Sequence, residues 1–292
     1  MEKQLMFFKL LRIYQWNKNL FVFAPLVFSK RLFEYQSLVG VIAAFFLFSV
    51  ASSSVYIFND IWDIESDRQH PHKSSRPIAS GKISIRYAAG VATILCVTSL
   101  FFSFQMKMIF GLIVFGYIIL NILYSIAVKN IVILDVMFIA AGFVLRVMGG
   151  AEIIDVYPSN WLIVCTILLA LFLGFSKRRY ELVLLTGEAS THRKVLEHYS
   201  TYFLDQMISV VTASSILSYL LYTVSDETVN FFGTRKLLWT APFVLYGIFR
   251  YLYLVHKEEK GEDPSKIMFK DKPLLINILL WGISCIVIIY KR

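Results

Sequence analysis

Uncharged, apolar stretches long enough to cross a bilayer recur along this chain, and they constrain its fold more than any other feature. About 20 residues of helix cross the hydrocarbon core, so runs of about 18 or more mark spans. Eight such runs, 36–58, 87–106, 108–128, 131–151, 159–175, 203–224, 237–255 and 273–290, meet or approach that length. A shorter run at 19–29, with Pro25 inside it, is a ninth candidate. With 57% hydrophobic residues over 292 positions, the chain leaves little for a water-soluble domain. The expected fold is an all-α membrane bundle of about nine transmembrane helices, built by residues 1–292 as a single multi-pass domain.

The charges between the runs give an orientation. With nine spans and a cytosolic N-terminus, the cytosolic segments carry about 20 of the 29 Lys and Arg residues and the opposite face about seven. Arg146 and Arg250 then lie inside spans. Lysine and arginine accumulate on the cytoplasmic side of membrane proteins, so the chain is expected in the cell (inner) membrane with its N-terminus in the cytosol and its C-terminus outside. The longer connections, 67–86, 176–202 and 256–272, all fall on the cytosolic side, which is where the functional site is expected. The net charge of +9 is mostly this topology signal, and the remainder suits an anionic substrate.

Other classes are set aside by what the sequence holds. Cys96, Cys165 and Cys285 sit in three different apolar runs, which argues against a disulfide framework or a zinc site. The start, MEKQLMFFKLLRIYQW, shows no small-residue cleavage pattern and reads as an amphipathic segment on the membrane surface. No nucleic-acid module is visible, and no nucleic-acid partner is expected.

The apolar run FFLFSVASSSVYIF ends abruptly in NDIWDIESDRQHPHKSSRP. Asn59, Asp63 and Asp67 are spaced i, i+4, i+8, which on a helix places three oxygen donors on one face. Asp60 lies about 100° round the helix, close enough for a second ion or a supporting contact. Clustered carboxylates without a cation would repel one another and resist ionisation. Hard oxygen donors suit Mg²⁺, which takes one or two carboxylates and completes its shell with water and substrate phosphates. The adjacent Arg68, Lys73 and Arg76 fit a diphosphate beside such a metal. Asn59, Asp60, Asp63 and Asp67 are thus the candidate metal ligands.

Four further places stand out. In QWNKN, Lys18 opens the first span, and Trp16 reads as an interface anchor. In YSIAVKNIVILD, Tyr124, Lys129 and Asp135 surround the turn between the fourth and fifth spans, with Asp135 expected to complete the metal site. Arg146 lies in mid-span, where a charge should face a polar cavity or a paired acid, and the neighbouring Gly149 and Gly150 would admit close helix approach. Finally, SKRRYEL and HRKVLEHY make a dense cationic loop from Lys177, Arg178, Glu181, Arg193 and Lys194. Asp60, Asp63, Asp67 and Asp135 form the candidate catalytic set, and the basic residues, Tyr124 and Glu181 the candidate substrate contacts.

The NDxxDxxxD motif at the end of the second span, followed by the Tyr124, Lys129, Asp135 segment, resembles the UbiA superfamily of intramembrane prenyltransferases. The resemblance runs nearly end to end, through QWNKN, SVYIFNDIWDIESDRQHPHKSSRPIASG, LDVMFIAAGFVLRVMGG, KRRYEL and HRKVLEHYSTYFL. Within the superfamily, RQHPHKSSRPIASG and the basic stretch 176–199 are most similar to the decaprenyl-phosphate phosphoribosyltransferase branch. That resemblance implies a nine-helix bundle with a Mg²⁺–diphosphate site at the cytosolic face. It implies transfer of 5-phosphoribose from phosphoribosyl pyrophosphate (PRPP) to a polyprenyl phosphate, serving lipid-linked arabinose and cell-envelope glycan synthesis. The chain departs from many aromatic prenyltransferases of the superfamily at one point. Asp135 is followed four residues later by Ile139, so a second acid pair is absent.

Two alternatives stand beside this reading. One is an aromatic or quinone prenyltransferase using prenyl diphosphate. The other is a cation-dependent transporter, although transporters place ionisable groups near the midplane and show repeated halves. The expected partners are PRPP, the polyprenyl phosphate and bilayer lipids, and association into a homo-oligomer is left open.

Overall fold

The structure, a computed structural model, describes residues 2–69, 73–184, 194–256, 267 and 270–291. The described residues are helical throughout, with no strand. Eight helices are long and apolar enough to span a membrane. They begin with α3 (Tyr35–Trp62), α5 (Ile85–Met106), α6 (Met108–Ile126) and α7 (Leu134–Ile153). The others are α8 (Asn160–Leu184), α9 (Thr201–Val224), the stretch Lys236–His256 that contains α11 (Ala241–His256), and α12 (Lys272–Tyr290). Shorter helices are α1 (Glu2–Leu11), α2 (Ala24–Phe28), α4 (Ile64–Gln69) and α10 (Asp226–Phe232). Many of the large apolar side chains on the long helices, such as Ile94, Val97, Phe101 and Phe102 on α5, face outward, as a lipid environment demands and water would not.

The ninth candidate, 19–29, takes a different form. A 3₁₀ rod, Ile13–Phe23, runs into α2, whose first turn contains Pro25. A 3₁₀ helix rises about 2 Å per residue, so the rod extends about 22 Å and α2 adds about 7 Å, close to the ~30 Å hydrocarbon thickness. Most of the length beyond the 19–29 run comes from residues 13–18, which the rod adds ahead of it.

The chain divides into two compact units. The first is Met1–Tyr157 with Ser190–Val195, and the second is Pro158–Ala189 with Leu196–Arg292. In the first unit α3 is central, packing on α5, α6, α7 and the rod. Its buried positions include the small residues Ala44, Ser49, Ala51, Ser52, Ser53 and Ser54. Small and hydroxylated residues are the usual adhesive between membrane helices, since lipid supplies no hydrophobic drive between them. Here Asn19 Nδ2 donates to Ser49 Oγ at 3.0 Å and Ser52 Oγ at 3.3 Å, and Ser54 Oγ donates to the Ala92 carbonyl at 2.9 Å. Phe48, Phe110 and Tyr117 fill the space between α3 and α6 edge to face. Gly150 lets α7 touch the rod, because a Cβ there would lie 2.0 Å from the Val22 carbonyl oxygen.

In the second unit α8 packs against α9. Tyr219 Oη lies 2.6 Å from Thr240 Oγ1 and accepts from Trp281 Nε1 at 2.9 Å, tying α9 to α12. Arg250 binds Asp271 through two nitrogens, at 3.2 and 2.7 Å, and Asp271 also caps α12 by accepting from Leu274 N. α8 continues to Leu184, nine residues past the apolar run expected to end at 175. Lys177, Arg178 and Glu181 are therefore helical and not part of a loop. Straight-chain Lys, Arg and Glu are good helix formers, and Arg178–Glu181 and Lys177–Glu181 are supporting i,i+3 and i,i+4 pairs.

Candidate active site

The carboxylates lie where α3 gives way to α4. Asp63 ends α3 with φ −95° and ψ 12°, yet Asp63 N still bonds to Asn59 O at 2.9 Å and Asp67 N to Asp63 O at 2.8 Å. The helical register thus carries through the break. The side chains sort themselves by which cations reach them, and the sorting differs from the expected face of Asn59, Asp63 and Asp67 with Asp60 apart. Asp60 and Asp67, seven residues apart and so on one side, share Arg76, whose Nη1 lies 3.0 Å from Asp60 Oδ1 and 2.5 Å from Asp67 Oδ2. Asp60 also accepts from Arg12 Nη2. Asn59 and Asp63 face α6 instead. Ser125 Oγ lies 2.9 Å from Asn59 Oδ1, and one turn further on Lys129 is ion-paired with Asp63.

Burial follows the same division. Asp60 and Asp67 are each 3% exposed, whereas the Asp63 side chain retains 21%. Burial pushes the Asp67 carboxyl above the usual carboxylate range, partly offset by Arg76 and Lys73. The three carboxylates are therefore ion-paired with Arg12, Arg76 and Lys129, and Lys73 adds a further positive charge acting on Asp67. Among the described residues no three carboxylate, imidazole or thiolate side chains gather so as to hold a metal ion on their own. The oxygen donors still fit Mg²⁺, which needs only one or two carboxylates if a phosphate supplies the rest. The half-open Asn59–Asp63 pair is the part of the cluster best placed to offer them.

The other expected residues are placed as follows. Arg68 is drawn to the surface, bonding Glu65 at 3.1 Å and the Ala79 carbonyl at 3.3 Å, apart from the Asp60–Asp67 pair. Lys73 lies in a short 3₁₀ turn, Lys73–Ser75, and acts on Asp67 electrostatically. Tyr124 is half-buried near the end of α6, and Lys18 is half-buried in the rod. Asp135 is fully buried in the first turn of α7, where free amide groups favour a negative charge. It does not complete a three-acid metal set.

Among the described residues Arg146 is paired with no acid. Its Nε donates to Asn19 Oδ1 at 2.6 Å, Nη1 to the Gly142 carbonyl at 2.8 Å and Nη2 to Tyr117 Oη at 2.9 Å, all neutral partners. Its guanidinium also lies over the Tyr117 and Phe143 rings, at 4.7 and 5.2 Å. It ties the rod, α6 and α7 together.

The cations of the 176–199 stretch belong mainly to the second unit. Arg178 is 1% exposed and donates to Glu181 Oε2 at 2.6 Å. Lys177 lies 3.9 Å from the same carboxylate. Lys194 begins a 3₁₀ turn, and Arg193 lies outside the described residues.

Two features of the site were not expected from sequence. The first is Arg12, which in sequence is one basic residue among the many near the N-terminus and carries no motif of its own. The second is the turn that carries Lys129 into Asp135. Ile133 has φ 70° and ψ −49°, and Leu134 N bonds Val132 O at 2.8 Å, which together make a classic γ-turn on a β-branched residue. Such a conformation costs about 1–3 kcal/mol and persists where the surroundings enforce it. Since Ile133 is 40% exposed, little packing is at stake. Ile133→Gly should therefore be more stable than Ile133→Ala by about 1 kcal/mol, reversing the usual order. Thermal unfolding of the two variants in detergent checks this, and an Ala variant as stable as the Gly variant would contradict it.

The fold and the site together define an integral membrane protein built of long apolar helices, with a polar carboxylate–cation centre at one end of the first unit's central helix. The chain belongs to the UbiA prenyltransferase family, whose model matches residues 20–271, and it is accordingly a transferase. Among curated proteins it is 32% identical to the decaprenyl-phosphate phosphoribosyltransferase of Mycolicibacterium smegmatis, over 94% of this chain and 89% of that one. It is 29% identical to the protein of the same name from Corynebacterium glutamicum, over 97% and 86%. Among solved structures it resembles a UbiA homolog from Archaeoglobus fulgidus bound to GPP and Mg²⁺, with a TM-score of 0.72 at 17% identity, covering 97% of this chain and 99% of that one.

Proposed function

We propose that this chain transfers 5-phosphoribose from PRPP to a polyprenyl phosphate of decaprenyl type, with Mg²⁺, as one catalytic domain spanning 1–292 in the inner membrane and working at the cytosolic face. The likeness to two decaprenyl-phosphate phosphoribosyltransferases over nearly the full length of all three chains carries this reading. The cluster supports it chemically. Asn59 and Asp63, joined by Asp67, would hold the metal, while Arg76 and Lys129 turn to the diphosphate oxygens. Bound there, Mg²⁺ would neutralise charge building on the leaving diphosphate.

The reaction needs little else from the protein. A phosphate oxygen of the lipid attacks the anomeric carbon of the ribose. The bond from that carbon to diphosphate breaks, and the diphosphate leaves with the electron pair. An ionised phosphate monoester is nucleophilic already, so no strong base is required, and Asp135 or Glu181 would serve at most to orient it. Lys18 and Lys73 are the proposed holders of the 5-phosphate. Tyr124, Lys177, Arg193 and Lys194 stay proposed substrate contacts on sequence grounds. Arg68, Arg146 and Arg178 each bond to protein groups, and a substrate contact from any of them would have to replace or share those bonds.

Arg76→Ala should raise the KM for PRPP by about tenfold or more with a smaller change in kcat, since one charge-assisted contact made in both ground and transition states is lost. Steady-state kinetics with PRPP varied checks this, and an unchanged KM would remove Arg76 from the donor site. The proposal as a whole is tested by pyrophosphate release, which should require PRPP and polyprenyl phosphate together. Release with prenyl diphosphate and an aromatic acid instead would return the chain to the prenyl-transfer activity of its family name.

A further inference from the structure

Arg12 enters the carboxylate cluster from a part of the chain that has no other business there. It sits between α1 and the 3₁₀ rod with φ 51° and ψ 45°, a left-handed conformation uncommon for a residue with a side chain. The chain on both sides of it is pinned to α3. The Leu11 carbonyl accepts from Ser53 Oγ at 2.8 Å, and Trp16 Nε1 donates to the same Ser53 Oγ at 3.0 Å. Ser53, Tyr56 and Asp60 are spaced i, i+3, i+7 and so line one face of α3. Arg12 follows that face: its Cζ lies 5.4 Å from the Tyr56 ring centroid and its Nη2 ends on Asp60.

Arg76 shares Asp60 but is held differently. It comes from the segment between α4 and α5, and its side chain is 26% exposed against 13% for Arg12. Of the two guanidiniums on Asp60, one is flanked by two anchors to α3, the Leu11 carbonyl and the Trp16 indole, and the other reaches in from a connecting segment with no such tie to α3 among the described contacts. A divalent cation arriving alone meets a cluster whose three carboxylates are already matched. A cation arriving with a diphosphate offers each group a new partner, provided that the mobile cations can leave.

Resting on the metal–diphosphate reading above, we propose that Arg12 is a positioning residue: it stays on Asp60 as a fixed counter-charge, keeps Asp60 out of the metal's ligand set, and so makes metal binding depend on diphosphate. Asp60 is then a supporting residue and not a ligand, while Asp63 is a ligand. Arg76 and Lys129 are the cations that exchange from carboxylate to diphosphate.

The test reads metal binding, not turnover. Mn²⁺ is titrated into the purified full chain in detergent, with and without inorganic pyrophosphate, and free Mn²⁺ is followed by electron paramagnetic resonance after correction for the Mn²⁺–pyrophosphate complex. The unaltered chain should bind Mn²⁺ about tenfold or more tighter with pyrophosphate than without, in the range of ordinary site–site coupling. With pyrophosphate present, Asp60→Asn should stay within about threefold of the unaltered chain and Asp63→Asn should lose about tenfold or more, as expected for a neighbour and a ligand respectively. Arg12→Gln should tighten binding of Mn²⁺ alone by about tenfold, because it removes one of the two cations on Asp60 and leaves the cluster more negative by one charge, and Arg12→Lys should restore the parent behaviour. Should Arg12→Gln not fold, the Asp60→Asn comparison decides. Equal losses in Asp60→Asn and Asp63→Asn would overturn the proposal, as would Mn²⁺ affinity unchanged in a folded Arg12→Gln. Failure of the unaltered chain to bind Mn²⁺ even with pyrophosphate would overturn the underlying metal–diphosphate reading, and this proposal with it.

Discussion

Asp63→Ala should abolish turnover, by about a thousandfold or more, while leaving the bundle folded. The two halves of that expectation come from different observations. Losing a metal contact at the leaving diphosphate removes several kcal/mol of transition-state stabilisation, and each ~1.4 kcal/mol is tenfold in rate. The structural cost is small because Asp63 sits at the end of α3, its side chain is 21% exposed, and among the described residues it is ion-paired with Lys129 alone. A partly exposed pair of this kind contributes about 1 kcal/mol at most. Turnover assayed beside thermal unfolding separates the two effects. Near-parent activity would remove Asp63 from the metal site, and an unfolded variant would mean that the Asp63–Lys129 pair holds α3 to the α6–α7 turn.

The second large effect is on stability. Arg146→Ala should destabilise the first unit by about 3 kcal/mol, since it opens a cavity and leaves buried hydrogen-bonding groups without partners. Asn19 Oδ1 and Tyr117 Oη would lose the bonds now made at 2.6 and 2.9 Å. Arg146→Lys should recover little, because an ammonium cannot reproduce three bonds fanned out from a planar fork. An opposing term exists: a buried charge without a counter-acid is itself expensive in a membrane. Three short hydrogen bonds and two aromatic faces are expected to outweigh it. Equilibrium unfolding in detergent gives the sign, and a variant as stable as the parent would mean that the neutral partners merely offset the charge.

The sequence made the membrane helices legible because their signal is local. Eight apolar runs of spanning length became eight long helices, and the acidic end of α3 fell where its motif ends. What stayed hidden depends on distant partners. Spacing alone put Asn59, Asp63 and Asp67 together, and i, i+7 makes Asp60 and Asp67 equally good neighbours. The choice was made by Arg12, 48 residues away from Asp60, and by Lys129, 66 residues away from Asp63. Arg146 is legible as costly, and a polar cavity or a paired acid would serve it equally by sequence; its neutral polar partners Asn19 and Tyr117 lie on other elements, so spacing could not name them. The 3₁₀ rod was obscured because tight winding leaves no periodic mark in an apolar run. The γ-turn at Ile133 was obscured because no β-branched residue advertises a positive φ.

The identity of the transferred group can be read from the fate of the donor's ribose. The purified chain in detergent is given Mg²⁺, a polyprenyl phosphate and PRPP labelled in the ribose, and label is counted in the organic phase. Phosphoribosyl transfer predicts lipid-borne label that depends on polyprenyl phosphate and disappears when a chelator removes the metal. An unlabelled organic phase, with prenylation of an aromatic acid from prenyl diphosphate under the same conditions, would contradict it.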